Sequence, residues 1–197
     1  WGTIYVEGSG VLANIHGLSG IKSIGDKLAL ELLAVTNLDA LAGLTSARVV
    51  HLFANEITNV DGLSNLKNVE SISLVFNENL ENLDGFSHIK GQLSSLVVSY
   101  TKNLTDLQAF SGIEGHINTL TLIENQSLVS LSGLDGVVSA GSMNVTDNQT
   151  LENLDGLAGL ISVTGAIDVS RNASLRDISG LSGIESVGLD ITMNGNP

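Results

Sequence analysis

The stretch Leu151-Glu-Asn-Leu154-Asp-Gly156-Leu-Ala-Gly-Leu160, followed after six residues by Ile167-Asp-Val169-Ser-Arg-Asn172, decides the fold, because the rest of the chain repeats it. Its Gly-Leu-x-Gly-Ile phrase recurs from Gly17, Gly43, Gly62, Gly85, Ala109, Gly133, Gly156 and Gly180, and these starts step by 26, 19, 23, 24, 24, 23 and 24 residues. A fixed period of this length identifies a stack of supersecondary units, here about 24 residues each, with one long and one short repeat near the N-terminus. Eight units in 197 residues leave room for no second domain, so residues 1–197 read as one solenoid.

The second half of the unit is an alternating run, apolar-x-apolar-x-x-Asn. It appears as Ile72 to Asn77, Leu120 to Asn125, Met143 to Asn148, Ile167 to Asn172 and Leu189 to Asn194. Ile4 and Val6, Leu28 and Leu30, Val50 and Leu52, and Leu96 and Val98 fill the same slots. Period two over so few residues predicts a short strand with one buried face. One unit cannot bury that face alone, so units must stack with their strands parallel. An inward Asn suits the exit of each strand, because its amide both donates to and accepts from turn backbone that an apolar residue would leave unpaired. About ten residues link each Gly-Leu phrase to the next strand, which allows a short helical turn or extended chain on the outer side. Nine strands at ~4.8 Å predict a sheet roughly 40 Å long.

The repeat Leu-x-x-Leu-x-Gly-Leu-x-x-Ile, with its strand and Asn, resembles the leucine-rich repeats, and among them the receptor-L-domain-like branch, over residues 9 to 196. The resemblance implies an α/β repeat solenoid: a right-handed superhelix with a parallel β-sheet on one face, which presents its strands to a partner and carries no catalytic residues. The chain lacks the cysteines that cap animal receptor domains of this branch, which turns the resemblance toward microbial surface proteins.

Composition narrows the function classes. Eight Lys plus Arg against 21 Asp plus Glu give a net charge of −13 without a basic run, which argues against nucleic acid and anionic membranes as partners. No Cys means no disulfide, thiolate metal site or cysteine nucleophile. No apolar run approaches membrane-spanning length, so no membrane insertion is expected. No phosphate-loop pattern occurs, and each repeat glycine already has a structural use in a tight turn. His16, His51, His88 and His116 fall at different phases of the repeat, which places them apart and on the surface. Asp84, Asp135 and Asp155 lie in the turns around the Gly-Leu phrase, where Asp caps local backbone. The expectation is an enzyme-free chain with no cofactor, metal or catalytic residue. Of five glycosylation sequons, at Asn103, Asn125, Asn144, Asn148 and Asn172, three coincide with inward ladder positions.

The outward strand positions form the candidate site. They are apolar in the first half, with His51, Phe53, Val75, Phe76, Val97, Tyr100 and Ile123, and polar in the second, with Asn144, Asp147, Asp168, Arg171 and Asp190. Phe86 and Phe110 occupy the Leu slot of the phrase and belong to the core, whereas Phe53, Phe76 and Tyr100 have no such slot. Aromatics surplus to the core in adjacent repeats predict a contiguous patch. Such a patch serves either a protein or glycan ligand or an adjoining domain. Neither terminus carries a polar cap, which leads to the expectation of a longer parent chain with flanking domains, or of end-to-end self-association. Two functions follow: an extracellular or cell-surface binding and adhesion module, or an architectural spacer within a larger surface protein.

Overall fold

The computed structural model describes residues 2–197; Trp1 lies outside them. The short alternating runs form the strands β1 (Ile4–Glu7), β2 (Lys27–Glu31), β3 (Val49–Phe53), β4 (Ser71–Val75) and β5 (Ser95–Ser99). They continue in β6 (Gly115–Ile123), β7 (Val137–Thr146), β9 (Ile167–Asp168) and β11 (Ile191–Thr192). Each pairs in parallel with the strand one repeat earlier, giving the nine-strand ladder that the period predicts. The first halves of β6 and β7 run into a second ladder with β8 (Ser162–Val163) and β10 (Ser186–Val187). Short 3₁₀ turns occupy the other side, including Asp39–Leu41, Asp61–Leu63, Asp84–Phe86, Gln108–Phe110 and Asp155–Leu157. The sheet is open, and each coil leads directly to the next.

Inward strand residues and the apolar anchors of the turns make one continuous core along the coils. Leu28, Leu30, Val50, Leu52, Ile72 and Leu74 are fully buried. Phe86 and Phe110 take the Leu slot in successive coils as expected, stacked at 6.0 Å with planes 19° apart. The phrase glycine is required where coils approach most closely: a Cβ on Gly156 would lie 2.0 Å from the carbonyl oxygen of Leu131 in the preceding coil.

Two registers differ from the sequence reading. The phrase of the second repeat begins at Ala40, in the 3₁₀ turn Asp39–Leu41, and not at Gly43. Gly43-Leu44 lies three residues downstream and imitates the phrase. With that shift the long and short repeats vanish, and equivalent positions are separated by 22, 23 or 24 residues. In the last repeat Ile191 pairs with Ile167, so the strand is offset by two residues from Leu189. Leu189 is exposed, and the ladder asparagine is Asn196, whose Nδ2 donates to Val169 O at 2.7 Å, rather than Asn194. Asp190 accordingly leaves the outward set.

The asparagine ladder works as expected. Asn55, Asn77, Asn125, Asn148 and Asn172 are buried, and each donates its side-chain amide to a strand carbonyl of the preceding coil. Their Oδ1 atoms accept backbone N–H groups, as from Asn125 N to Asn148 and from Asn148 N to Asn172. Leu33 and Thr101 hold the ladder slots that lack Asn, and Thr101 Oγ1 still donates to Asn125 Oδ1 at 2.8 Å. A second ladder lies on the far side. Asn14, Asn37, Asn59, Asn82, Asp106, Asn153 and Asp177 each accept from the backbone N–H two residues on, capping the turn. The cap is therefore this residue and not Asp84 or Asp155, whose own N–H groups it receives; Asp135 does cap, accepting from Gly133 N at 2.9 Å.

Candidate binding face

Strand register arranges the outward residues in columns. One runs Ala29, His51, Ser73, Val97, Thr121, Asn144, and the next Glu31, Phe53, Val75, Ser99, Ile123, Thr146. A third row follows at the margin where each strand ends: Leu32, Ala54, Phe76, Tyr100, Glu124, Asp147 and Arg171, all with φ between 53° and 62°. This left-handed turn interrupts the alternation of side chains, so that the next residue, the ladder Asn, points inward while the turn residue stands at the edge. The positive φ is imposed by the coil and recurs on seven non-glycine residues in succession, an unusual choice of residue for that conformation.

All seven residues singled out from the sequence fall on this surface. His51 and Val97 lie in the first column, Phe53, Val75 and Ile123 in the second, and Phe76 and Tyr100 in the marginal row. The aromatic rings form one run. His51 stacks on Phe53 at 6.3 Å, Phe53 meets Phe76 edge to face at 5.6 Å, and Phe76 stacks on Tyr100 at 4.2 Å with planes 18° apart. Phe76 remains 40% exposed and Phe53 and Tyr100 are partly so. On the same sheet face, Ser99 Oγ and Asn144 Oδ1 are buried without a hydrogen-bond partner among the described residues.

His51 is tied to its neighbours across coils: Nδ1 is 3.0 Å from Ser73 Oγ and Nε2 is 3.4 Å from Glu31 Oε1. Burial, reinforced by the charge of Lys27, holds its pKa below the usual histidine value against the opposing pull of Glu31. At the N-terminal edge the Tyr5 hydroxyl donates to Glu7 at 2.9 Å and to Glu31 at 3.2 Å. The hydrogen bond to Glu7 is the largest cause of a phenol pKa pushed up to about 12. Toward the other end the face turns polar, and Arg171 grips Asp147 through two hydrogen bonds of 2.7 Å that hold the carboxyl below its usual range. Sequence reasoning missed Tyr5, Glu31 and Leu32, although one repeat period back from Phe53 and Ala54 marks the last two.

The remaining motifs resolve as follows. His16 and His88 are exposed, but His116 is half-buried, with Nδ1 2.8 Å from Ser139 Oγ and Nε2 2.8 Å from Asn118 Oδ1. Among the described residues no three His, Asp or Glu side chains are placed to hold a metal ion. Asn125, Asn148 and Asn172 are fully buried in the ladder, Asn144 is half-buried, and Asn103 is exposed. A cleft of about 430 Å³ at the opposite margin of the strands is lined by Arg48, Lys67, Glu70 and Lys90, and there Arg48 is already paired with Asp26 and Glu70.

Inward leucines, parallel strands recurring every 22 to 24 residues and the buried asparagine ladder together define the architecture. This is a leucine-rich-repeat solenoid. No family model and no curated protein matches the chain. Among solved structures, the crystal structure of an internalin from Listeria monocytogenes strain 4b F2365 is similar to the solenoid, with 17% sequence identity and a TM-score of 0.39 over 98% of this chain and 74% of that one. Among the described residues of the solenoid, no helix is long and apolar enough to cross a membrane.

Proposed function

We propose that the solenoid is a non-catalytic binding module, working outside the cell or on its surface, that recognises a protein or glycan partner through the strand face. The observation that carries this reading is the aromatic run from His51 through Phe53 and Phe76 to Tyr100, which the core does not use and which lies on a sheet fixed from behind by a fully buried ladder. Rigid aromatic side chains give large contact area at small entropic cost, and such clusters dominate binding energy. The test compares the wild-type chain with the Phe53→Ala, Phe76→Ala, Tyr100→Ala triple variant on an array of folded extracellular proteins and glycans. The reading expects at least one array member retained by the wild type and weakened more than tenfold by the triple variant. Equal retention by both chains, or by neither, overturns it.

The second reading is an architectural spacer. It is supported by the unbroken stacking of like coils through one continuous core, which gives the solenoid length.

A further inference from the structure

We propose that the margin of the strand face contains a receptacle for one cationic side chain, Arg or Lys, belonging to the partner; this rests on the strand-face reading and names the chemistry it selects. A cleft of about 370 Å³ opens where β2, β3 and β4 end, walled by Leu32, Phe53, Ala54 and Phe76 and rimmed by Glu56 and Glu78. Its volume is at the lower end of the roughly 300–1,000 Å³ range of ligand pockets, room for one long side chain.

The two carboxylates differ. Glu78 is paired with Lys102 of the next coil. Glu56 has no ion-pair partner among the described residues, and its Oε2 accepts from Asn79 Nδ2 at 2.6 Å, which fixes the carboxylate at the rim. An uncompensated, positioned negative charge beside apolar walls discriminates among occupants. A neutral apolar group would strip water from Glu56 without replacing its hydrogen bonds, and an anion would be repelled by both carboxylates. A Lys or Arg satisfies both halves at once, its methylene stem along Leu32 and Phe53 and its head against Glu56. Phe76 stacks on Tyr100 and meets Phe53 edge to face, and its exposed part lines the cleft as an aromatic contact for the cationic head. Arg fits better than Lys, since its planar fork can bind the Glu56 carboxylate through two N–H groups while lying on a ring.

The left-handed conformation sets the shape of the wall and is shared by the whole marginal row. Leu32, Ala54 and Phe76 have φ of 55°, 53° and 58°, where glycine would be unstrained, and their N–H groups donate to Phe53, Val75 and Ser99 carbonyls at 2.9 to 3.1 Å. The chain keeps large apolar side chains at two of these three positions.

The experiment uses the whole chain, ¹⁵N-labelled, titrated with Nα-acetyl-L-arginine amide and, in parallel, with the norleucine and glutamate analogues. Saturable shifts are expected for the arginine compound at the amides of Phe53, Glu56, Phe76 and Asn79, at least tenfold weaker in Glu56→Gln, with the rest of the variant's spectrum unchanged. Equal shifts from the norleucine analogue overturn the proposal. So do arginine shifts spread evenly over the acidic surface and indifferent to Glu56→Gln. If the arginine compound ignores the cleft while the triple aromatic variant still loses its array partner, only the cation receptacle falls. If the cleft takes the compound and no array partner depends on the aromatics, the receptacle stands and the wider face falls.

Discussion

The side-chain amide of Asn148 donates to the carbonyl oxygen of Leu122 in the preceding coil at 2.9 Å, while its Oδ1 accepts the backbone N–H of Asn125 at 3.0 Å and serves no solvent at all. Replacing it by Ala leaves the buried Asn125 N–H without a partner and removes the second donor from the Leu122 carbonyl, which keeps its ladder bond. At about 1–3 kcal/mol for an orphaned group, Asn148→Ala is expected to lower stability by about 2 kcal/mol. Urea denaturation measures this, and a loss under 1 kcal/mol would mean that water or a local shift replaces the ladder.

Contact between coils at the phrase glycine gives a sharper contrast. Gly156→Ala places a methyl against Leu131 O and is expected to cost about 3 kcal/mol, whereas Gly17→Ala meets nothing within 4 Å and should stay within about 0.5 kcal/mol of the wild type. Thermal unfolding of the pair checks whether close approach of coils, and not glycine as such, sets the requirement.

Strain in the marginal row can be measured where the side chain is exposed. Glu124 has φ 54° and is exposed. Glu124→Gly is expected to leave stability unchanged or raise it by up to about 1 kcal/mol, relief of the left-handed penalty being offset by a freer unfolded chain. Glu124→Val should lower it by about 1–2 kcal/mol, since a β-branched residue tolerates this region worst. The reverse order in chemical denaturation would remove the strain from the description of the row.

His51 makes stability depend on pH in a defined direction. Its folded pKa lies below 6.5, chiefly through burial and then through Lys27. Folding therefore favours the neutral ring, and its contribution is complete above about pH 6.5. As pH falls through that value the unfolded chain takes up the proton first, so stability declines until the folded ring titrates too. His51→Gln should flatten the urea midpoint between pH 7.5 and 5, and Lys27→Met should shrink the decline by letting the folded pKa rise. A midpoint profile unchanged in both variants would assign the pH dependence elsewhere.

Fold and face were legible in the sequence to different depths. Period, buried leucines and the inner asparagines could be read because each is imposed coil after coil by the same neighbours. The register of the second coil was misread at Gly43-Leu44 and that of the last at Leu189. In both places a local pattern matched the template, and only the spacing of all coils together excludes it. The outer capping ladder is present in the sequence as Asn37, Asn59, Asn82 and Asn153, but Asp84 and Asp155 two residues on offer the same capping chemistry, and only the hydrogen bonds distinguish them. The marginal row could not be read. Leu, Ala, Phe, Tyr, Glu, Asp and Arg share no preference for positive φ, so the conformation is set by the coil and leaves no mark in residue type. Phe53, Phe76 and Tyr100 could be found because the core had no use for them, yet their mutual stacking, and the grip of Ser73 and Glu31 on His51, depend on neighbours a coil away.

The parallel ladder also sets a pitch. Successive coils present equivalent side chains about 4.8 Å apart, whereas an extended segment offers same-side residues about 6.7 Å apart. Laid along the solenoid axis, such a segment drifts against the coils as the two scales of a vernier do, coinciding only after about three coils against two of its own steps, near 14 Å. The aromatic run from His51 to Tyr100 occupies three coils, two spacings or about 9.6 Å, which is short of one beat of that vernier. A linear guest anchored at one end of the run is therefore out of step at the other, while a rigid folded guest meets no such mismatch.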